Sequence, residues 1–239
     1  EWHIEQGGKV LSEGRLGLAD VNTGAPLPDN PIYRIFSMTK PLVSAVGVML
    51  LDEGKLRLSD AVAMHLPKFA DMQVMDSQGN VAPANNTLLV EHLFTHRSGL
   101  SYQWQPGNPV APLYLEKAKF SDQYNLAELV DSLAELPLFA EPGTVWHYSY
   151  STDVLAHLIS VIEGKPIAQV LKERIFEPLD MVDTGYFVPE EKRDRLLPVF
   201  GDDVLTPGVS KPVSSDGGKL HYGAPQMIYP ADNPGFERG

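Results

Sequence analysis

Ser37 and Lys40 stand three residues apart in "YRIFSMTKPLVSA", where a strand-like stretch gives way to a helix-like one. A serine hydroxyl at such a junction has two readings. It is a helix cap, or it is a nucleophile placed where backbone N–H groups and the helix dipole favour developing negative charge. Lys40 lies one turn along the same helix face, which brings its amine towards Ser37 Oγ. Pro41 falls in the first turn, where a missing N–H costs little. A lysine acts as general base only when neutral, and moving its pKa from about 10.4 to about 7 takes roughly 4–5 kcal/mol of environmental bias. Two common residue types meet the Ser-x-x-Lys spacing readily by chance, so other residues must decide between the readings. Tyr148 and Tyr150 precede an amphipathic helix in "EPGTVWHYSYSTDVLAHLISVIEG". A phenol near Lys40 can share its proton, because the ordinary Tyr and Lys values differ by only about 0.4, or roughly 0.5 kcal/mol. A tyrosine at a helix start also reads as a packed aromatic with a satisfied hydroxyl. Which group is the base stays open at this level.

These residues need a frame. "GKVLSEGRLGLADVNTGAPL" alternates loosely between apolar and polar and is broken by glycines and by Asn22-Thr23-Gly24, so residues 1 to 36 read as antiparallel sheet. From Met38 to Leu51 an almost unbroken apolar run closes on Asp52-Glu53-Gly54, the length and terminal glycine of a helix. Apolar residues on all sides predict that this helix is buried all round. After "KLRLSDAVAMHLP" come three helical patterns, "TLLVEHLFTH", "NLAELVDSLAEL" and "YSTDVLAHLISVIEG", separated by loops such as "QPGNPVAP" and "EPGT". Residues 56 to about 180 therefore read as mainly helical. Residues 201 to 239, rich in Gly, Pro, Ser and Asp, read as long loop with short strands. Sheet first and helices later give an α+β class.

Composition narrows the partners. Of 239 residues, 31 are Asp or Glu and 19 Lys or Arg, a net charge of −12 that disfavours binding to DNA or RNA. With no cysteine, thiolate nucleophiles, disulfides and cysteine-based zinc sites are excluded, while bacterial cytoplasm and periplasm both remain compatible. The longest strongly apolar stretch, Pro41 to Leu51, is well short of the roughly 18 to 20 residues needed to span a bilayer. The sequence opens at Glu1 without a methionine, which carries no information about a targeting segment.

Three stretches together resemble the serine β-lactamase and penicillin-binding-protein superfamily, most of all its family-eight carboxylesterases. "FSMTKPLVSAVGVMLLDEGKLRLSD" resembles the nucleophile helix and "LFTHRSGL" the family's Leu-x-Thr-His-x-Ser-Gly-Leu segment. "EPGTVWHYSYSTDVLAHLISVIEGKPI" with "IFEPLDMVDTGYF" resembles its tyrosine block. The resemblance implies a β-lactamase/transpeptidase-like α+β fold, with an antiparallel sheet flanked by helices and a mainly helical domain. It divides the chain into residues 1–60 with the nucleophile helix, a helical part 61–200, and a loop 201–239 leading back to the sheet. It also implies that Ser37 is the acylated nucleophile, Lys40 its partner, and Tyr148 the general base or acid at the leaving group, with Tyr150 the runner-up. Where β-lactamases carry an Asn two residues after that tyrosine, this chain has Tyr150, which offers no amide to a substrate carbonyl. An esterase is therefore favoured over a β-lactamase or a D-amino-peptidase. The third family element, Lys-Thr-Gly or a variant such as Trp-Gly-Gly, is not found in residues 189 to 239. The expectation is that the C-terminal strands of the fold are missing and that the isolated chain is inactive.

The remaining candidates are weaker. Tyr102 and Trp104, in "GLSYQWQPG", together with Tyr150 are the residues expected to contact substrate, a small ester or amide. His96, before a Ser-Gly turn, reads as structural. His92 and His96 have the i, i+4 spacing of a zinc helix, yet the metalloprotease pattern needs Glu at 93 and this chain has Leu93. No metal and no cofactor is expected. A non-catalytic acyl-serine sensor on the same fold is the rival from another class.

Overall fold

A computed structural model describes residues 1–20, 23–105, 107–119, 124–203, 206–213 and 237. The chain divides into two units, Glu1–Arg34 with Val188–Asp232, and Ile35–Phe187 with Asn233–Gly239. Within the first, β1 (Trp2–Gln6) and β2 (Lys9–Gly14) pair antiparallel, with a register shift at Ile4/Glu5. Two glycines with positive φ, Gly7 and Gly8, make the tight turn between them. The short strands β3 (Leu18–Asp20) and β4 (Ala25–Pro26) form a second antiparallel pair.

The second unit begins with a short 3-10 turn, Phe36–Met38, that leads directly into α1 (Thr39–Asp52). Gly54, at φ 70°, closes the helix as the sequence predicts, and its N–H donates to the Leu51 carbonyl. Burial differs from expectation. Val43, Val46, Gly47 and Leu50 are buried, but Pro41, Ala45 and Val48 are exposed. An apolar residue type states only a preference for burial; which face is covered depends on what packs there, and the helices at Ser151–Glu163, Val90–Phe94 and Ile167–Phe176 pack on α1 without covering Pro41, Ala45 and Val48.

A hairpin of β5 (Gln73–Met75) and β6 (Val81–Pro83) follows. Then come α2 (Val90–Phe94), α3 (Ala111–Lys117), α4 (Leu126–Ala134), α5 (Ser151–Glu163) and α6 (Ile167–Leu171), which runs on through a π-type turn to Phe176. Asn125 starts α4 with a reciprocal cap: its Oδ1 accepts from the Glu128 N–H, and Glu128 Oε2 accepts from the Asn125 N–H. The core of the unit is built around α5, whose residues from Ser151 to Ala156 and Leu158–Ile159 are buried. α1 approaches α2 so closely that a Cβ on Gly47 would lie 2.5 Å from the Phe94 ring. In the first unit, β7 (Val199–Asp203) and β8 (Thr206–Val213) pair antiparallel at the start of the stretch read as loop. Apart from Glu237, residues 214–239 lie outside the described residues, and with them about half of the region 189–239 in which the third motif is not found.

Each described strand pairing is two-stranded. The architecture is α+β, helices with small antiparallel sheets. Among the described residues no single helix is long and apolar enough to cross a membrane.

Candidate active site

Ser37 sits in the 3-10 turn rather than at the cap of α1. The N-cap is Met38, and neither the turn nor the helix has a side-chain cap. The physical reason is that Ser37 Oγ is engaged elsewhere: it accepts a 2.8 Å hydrogen bond from the Tyr148 hydroxyl. One residue earlier, Phe36 takes φ 44°, in the left-handed region that a side chain makes costly by about 1–2 kcal/mol. Strain of this kind persists only where surrounding structure imposes it. Ser37 is exposed, whereas Lys40 and Tyr148 are half-buried. Lys40, the second residue of α1, places Nζ over the Tyr148 ring, 5.2 Å from its centroid. The structure thus brings together Ser37, Lys40 and Tyr148.

Tyr148 is held by a dense set of contacts. Its ring packs against His96, with centroids 4.7 Å apart, and against Tyr102 at 5.5 Å. Its carbonyl accepts from Gln105 Nε2 at 2.6 Å. The residues on either side are bonded through their backbones to His96: the His147 N–H donates to the His96 carbonyl at 2.8 Å, and the Ser149 N–H to His96 Nδ1 at 3.3 Å. His147 in turn meets Ser101 Oγ at 3.0 Å through Nε2.

The "LFTHRSGL" segment is locked to the start of α5 through buried hydroxyls. Ser98 Oγ and Ser149 Oγ each share a hydrogen bond with Ser151 Oγ, at 2.7 and 2.8 Å, and Ser98 also accepts from the Leu100 N–H. Gly99 is required here. Its φ is 81°, and a Cβ would fall on the Ala140 carbonyl oxygen, while its own carbonyl accepts from the Phe139 N–H.

The three aromatic residues expected at the substrate differ in exposure. Tyr150 has no exposed surface and donates its hydroxyl to Gln103 Oε1 at 2.6 Å, so it stands in the core, edge-on to Tyr102. Tyr102 is 4% exposed and stacks on Trp104, with centroids 4.3 Å apart; Trp104 keeps partial exposure. Gln103 and Gln105 escaped the sequence reading. The signal was present, since two amides alternate with aromatics in "YQWQ" next to a buried stretch, where each needs a partner.

Electrostatics are dominated by burial. It pushes His96 down to about 4, helped by the nearby Lys40 and His147 charges. Burial likewise lowers His147. Among the described residues no group of three or more His, Asp or Glu could hold a metal ion. His92 Nδ1 accepts from the Leu89 N–H, as His96 Nδ1 does from Ser149.

Known proteins are similar to this chain in sequence and in fold. The sequence model of the Beta-lactamase family matches residues 2–232. Protein Rv1367c of Mycobacterium tuberculosis is 33% identical over 196 residues, covering 80% of this chain and 48% of its own length. Esterase EstB of Burkholderia gladioli is 31% identical over 195 residues, covering 80% and 47%. Among solved structures, EstCE1, a hydrolase with promiscuous acyltransferase activity, superposes with a TM-score of 0.70 at 23% identity, over 95% of this chain and 61% of that one. The chain spans about half the length of the two sequence relatives. Because the family match runs through α1, the His-x-Ser-Gly turn and the tyrosine block alike, the chain belongs to the Beta-lactamase family, within the serine β-lactamase and penicillin-binding-protein superfamily.

Proposed function

We propose that the chain carries the acylating centre of a carboxylesterase for short-chain esters, with Ser37 as nucleophile. The observation that carries this reading is the 2.8 Å hydrogen bond between the Tyr148 hydroxyl and Ser37 Oγ. A serine hydroxyl is a weak nucleophile until a neighbouring base takes its proton, and hydrogen-bond reach is the first requirement of that base. Lys40 supports it. The Lys40 amine, 5.2 Å from the ring centroid, stands where it can exchange a proton with the phenol, so Tyr148 and Lys40 form a working pair.

The proton inventory closes. The phenol first passes its proton to the Lys40 amine; the resulting Tyr148 phenolate accepts the Ser37 proton as Oγ attacks the ester carbonyl, then delivers it to the departing alkoxide. An ester of Ser37 remains. Tyr148 next takes a proton from water, which attacks the acyl group, and the proton returns to Ser37 Oγ as it leaves. Two features favour esters over β-lactams: Tyr150 occupies the position of the family's amide and is buried, and EstB is an esterase.

The test is steady-state release of p-nitrophenol from a short-chain ester by the full-length protein, run beside a chromogenic cephalosporin. Sustained ester turnover that disappears in Ser37→Ala supports the reading. A single stoichiometric burst supports the non-turnover sensor instead, and preferential cephalosporin hydrolysis overturns the ester assignment.

A further inference from the structure

We propose that His96 is a positioning residue for Tyr148, its Nδ1 fixing the backbone that carries the phenol onto Ser37. The proposal rests on the assignment of Ser37 and Tyr148 made above. It starts from an asymmetry in how residues 147–149 are held. Three successive residues each have a backbone group pinned: the His147 N–H by the His96 carbonyl, the Tyr148 carbonyl by Gln105 Nε2, and the Ser149 N–H by His96 Nδ1. Two of those three anchors belong to one residue. The same imidazole lies against the Tyr148 ring at 4.7 Å and meets Trp146 edge-on at 6.4 Å, so its plane and its lone pair both act on this segment.

The backbone of His96 is itself unusual. Its φ is 52°, a left-handed conformation that closes α2 and turns the chain into the Ser98-Gly99 segment. Because the turn is locked to α5 by the Ser98–Ser151–Ser149 hydroxyl chain, the imidazole is a fixed point rather than a mobile arm. Nδ1 can accept only while it is unprotonated, with the ring proton on Nε2. Burial, then the charges of Lys40 and His147, holds His96 neutral above about pH 4, so the acceptor persists wherever the enzyme operates at neutral pH. A histidine serving only as packing has no need of that lone pair. One whose lone pair holds the Tyr148 backbone controls where the phenol oxygen falls, and displacements of about 1 Å at a reacting group cost on the order of 10²-fold in rate.

Two substitutions separate these roles without straining the turn. Asn and Gly both tolerate positive φ, but only Asn keeps a side-chain acceptor near the position of Nδ1. The readout is labelling of Ser37 by a fluorophosphonate, with maximal rate and half-saturating concentration determined separately and folding followed by thermal melting. His96→Gly is expected to lower the maximal rate about tenfold or more with half-saturation within about threefold of wild type. His96→Asn is expected to recover most of that rate. A His96→Gly protein that melts cooperatively and labels at the wild-type rate overturns the proposal, as does His96→Asn falling as far as His96→Gly. Failure of wild type itself to label at Ser37 overturns the underlying nucleophile assignment, and this inference with it.

Discussion

Ser37 and Tyr148, 111 residues apart in sequence, meet through a 2.8 Å hydrogen bond in which the phenol donates to the serine hydroxyl. Tyr148 is half-buried and braced by His96 and Tyr102, so the bond is set by packing rather than by a freely rotating side chain. Tyr148→Phe keeps the ring and removes only the hydroxyl. Its kcat for p-nitrophenyl ester hydrolysis should fall by about 10²–10⁴-fold, with KM and melting temperature little changed.

Tyr150→Phe should do the reverse. Its hydroxyl is buried and donates to Gln103 at 2.6 Å, so removing it leaves a half-buried amide oxygen short of that donor. A loss of about 1–3 kcal/mol in urea unfolding is expected, with a much smaller change in kcat than Tyr148→Phe produces. The pair of variants separates the two tyrosines of "HYSY" by measurement.

Much of this was legible in the residues. The end of α1 at Gly54, the capping pair Asn125 and Glu128, and the end of α5 at Gly164 all follow local rules of sequence. α3 did not, because it starts inside "QPGNPVAP", where Pro112 reads as a breaker yet fits the first turn of a helix. The β5–β6 hairpin was hidden in a helical region. Its turn depends on Asp76 Oδ1 accepting from the Gln78 and Asn80 N–H groups, a local bond that the hydrophobic pattern does not register. The one-sided burial of α1, and the choice of Tyr148 rather than Ser37's own backbone as partner for its hydroxyl, are tertiary facts that periodicity does not encode.

Gly99→Ala tests the lock between the His-x-Ser-Gly turn and the tyrosine block. The added methyl meets the Ala140 carbonyl at a position with φ 81°, so both a clash and backbone strain oppose it. A destabilisation of about 2–4 kcal/mol is expected by chemical denaturation.

Acid should weaken the junction of α1, α5 and the π-type turn. Arg174 bonds Glu53 through Nη1 and Nη2 and bonds Glu163 through Nε and Nη2, while Lys55 reaches both carboxylates. The Arg174 and Lys55 hydrogen bonds hold the Glu53 carboxyl at about 2, below its ordinary 4.5. Since the folded pKa is the lower one, this stabilisation is complete above about 4.5 and is lost as pH falls through about 2. His96 acts in the same direction at higher pH: the unfolded chain gains its proton near 6.5 and the folded protein only at about 4. Melting temperature should therefore decline from about pH 6.5 downward. The difference between wild type and Arg174→Met should shrink between about pH 4.5 and 2.

The most direct test of the account is where covalent modification lands. Intact-mass and peptide mass spectrometry of the full-length protein after fluorophosphonate treatment should show one adduct, on the peptide containing Ser37, absent from Ser37→Ala and formed far more slowly in Tyr148→Phe. An adduct that persists in Ser37→Ala, or that forms at the wild-type rate in Tyr148→Phe, would contradict it.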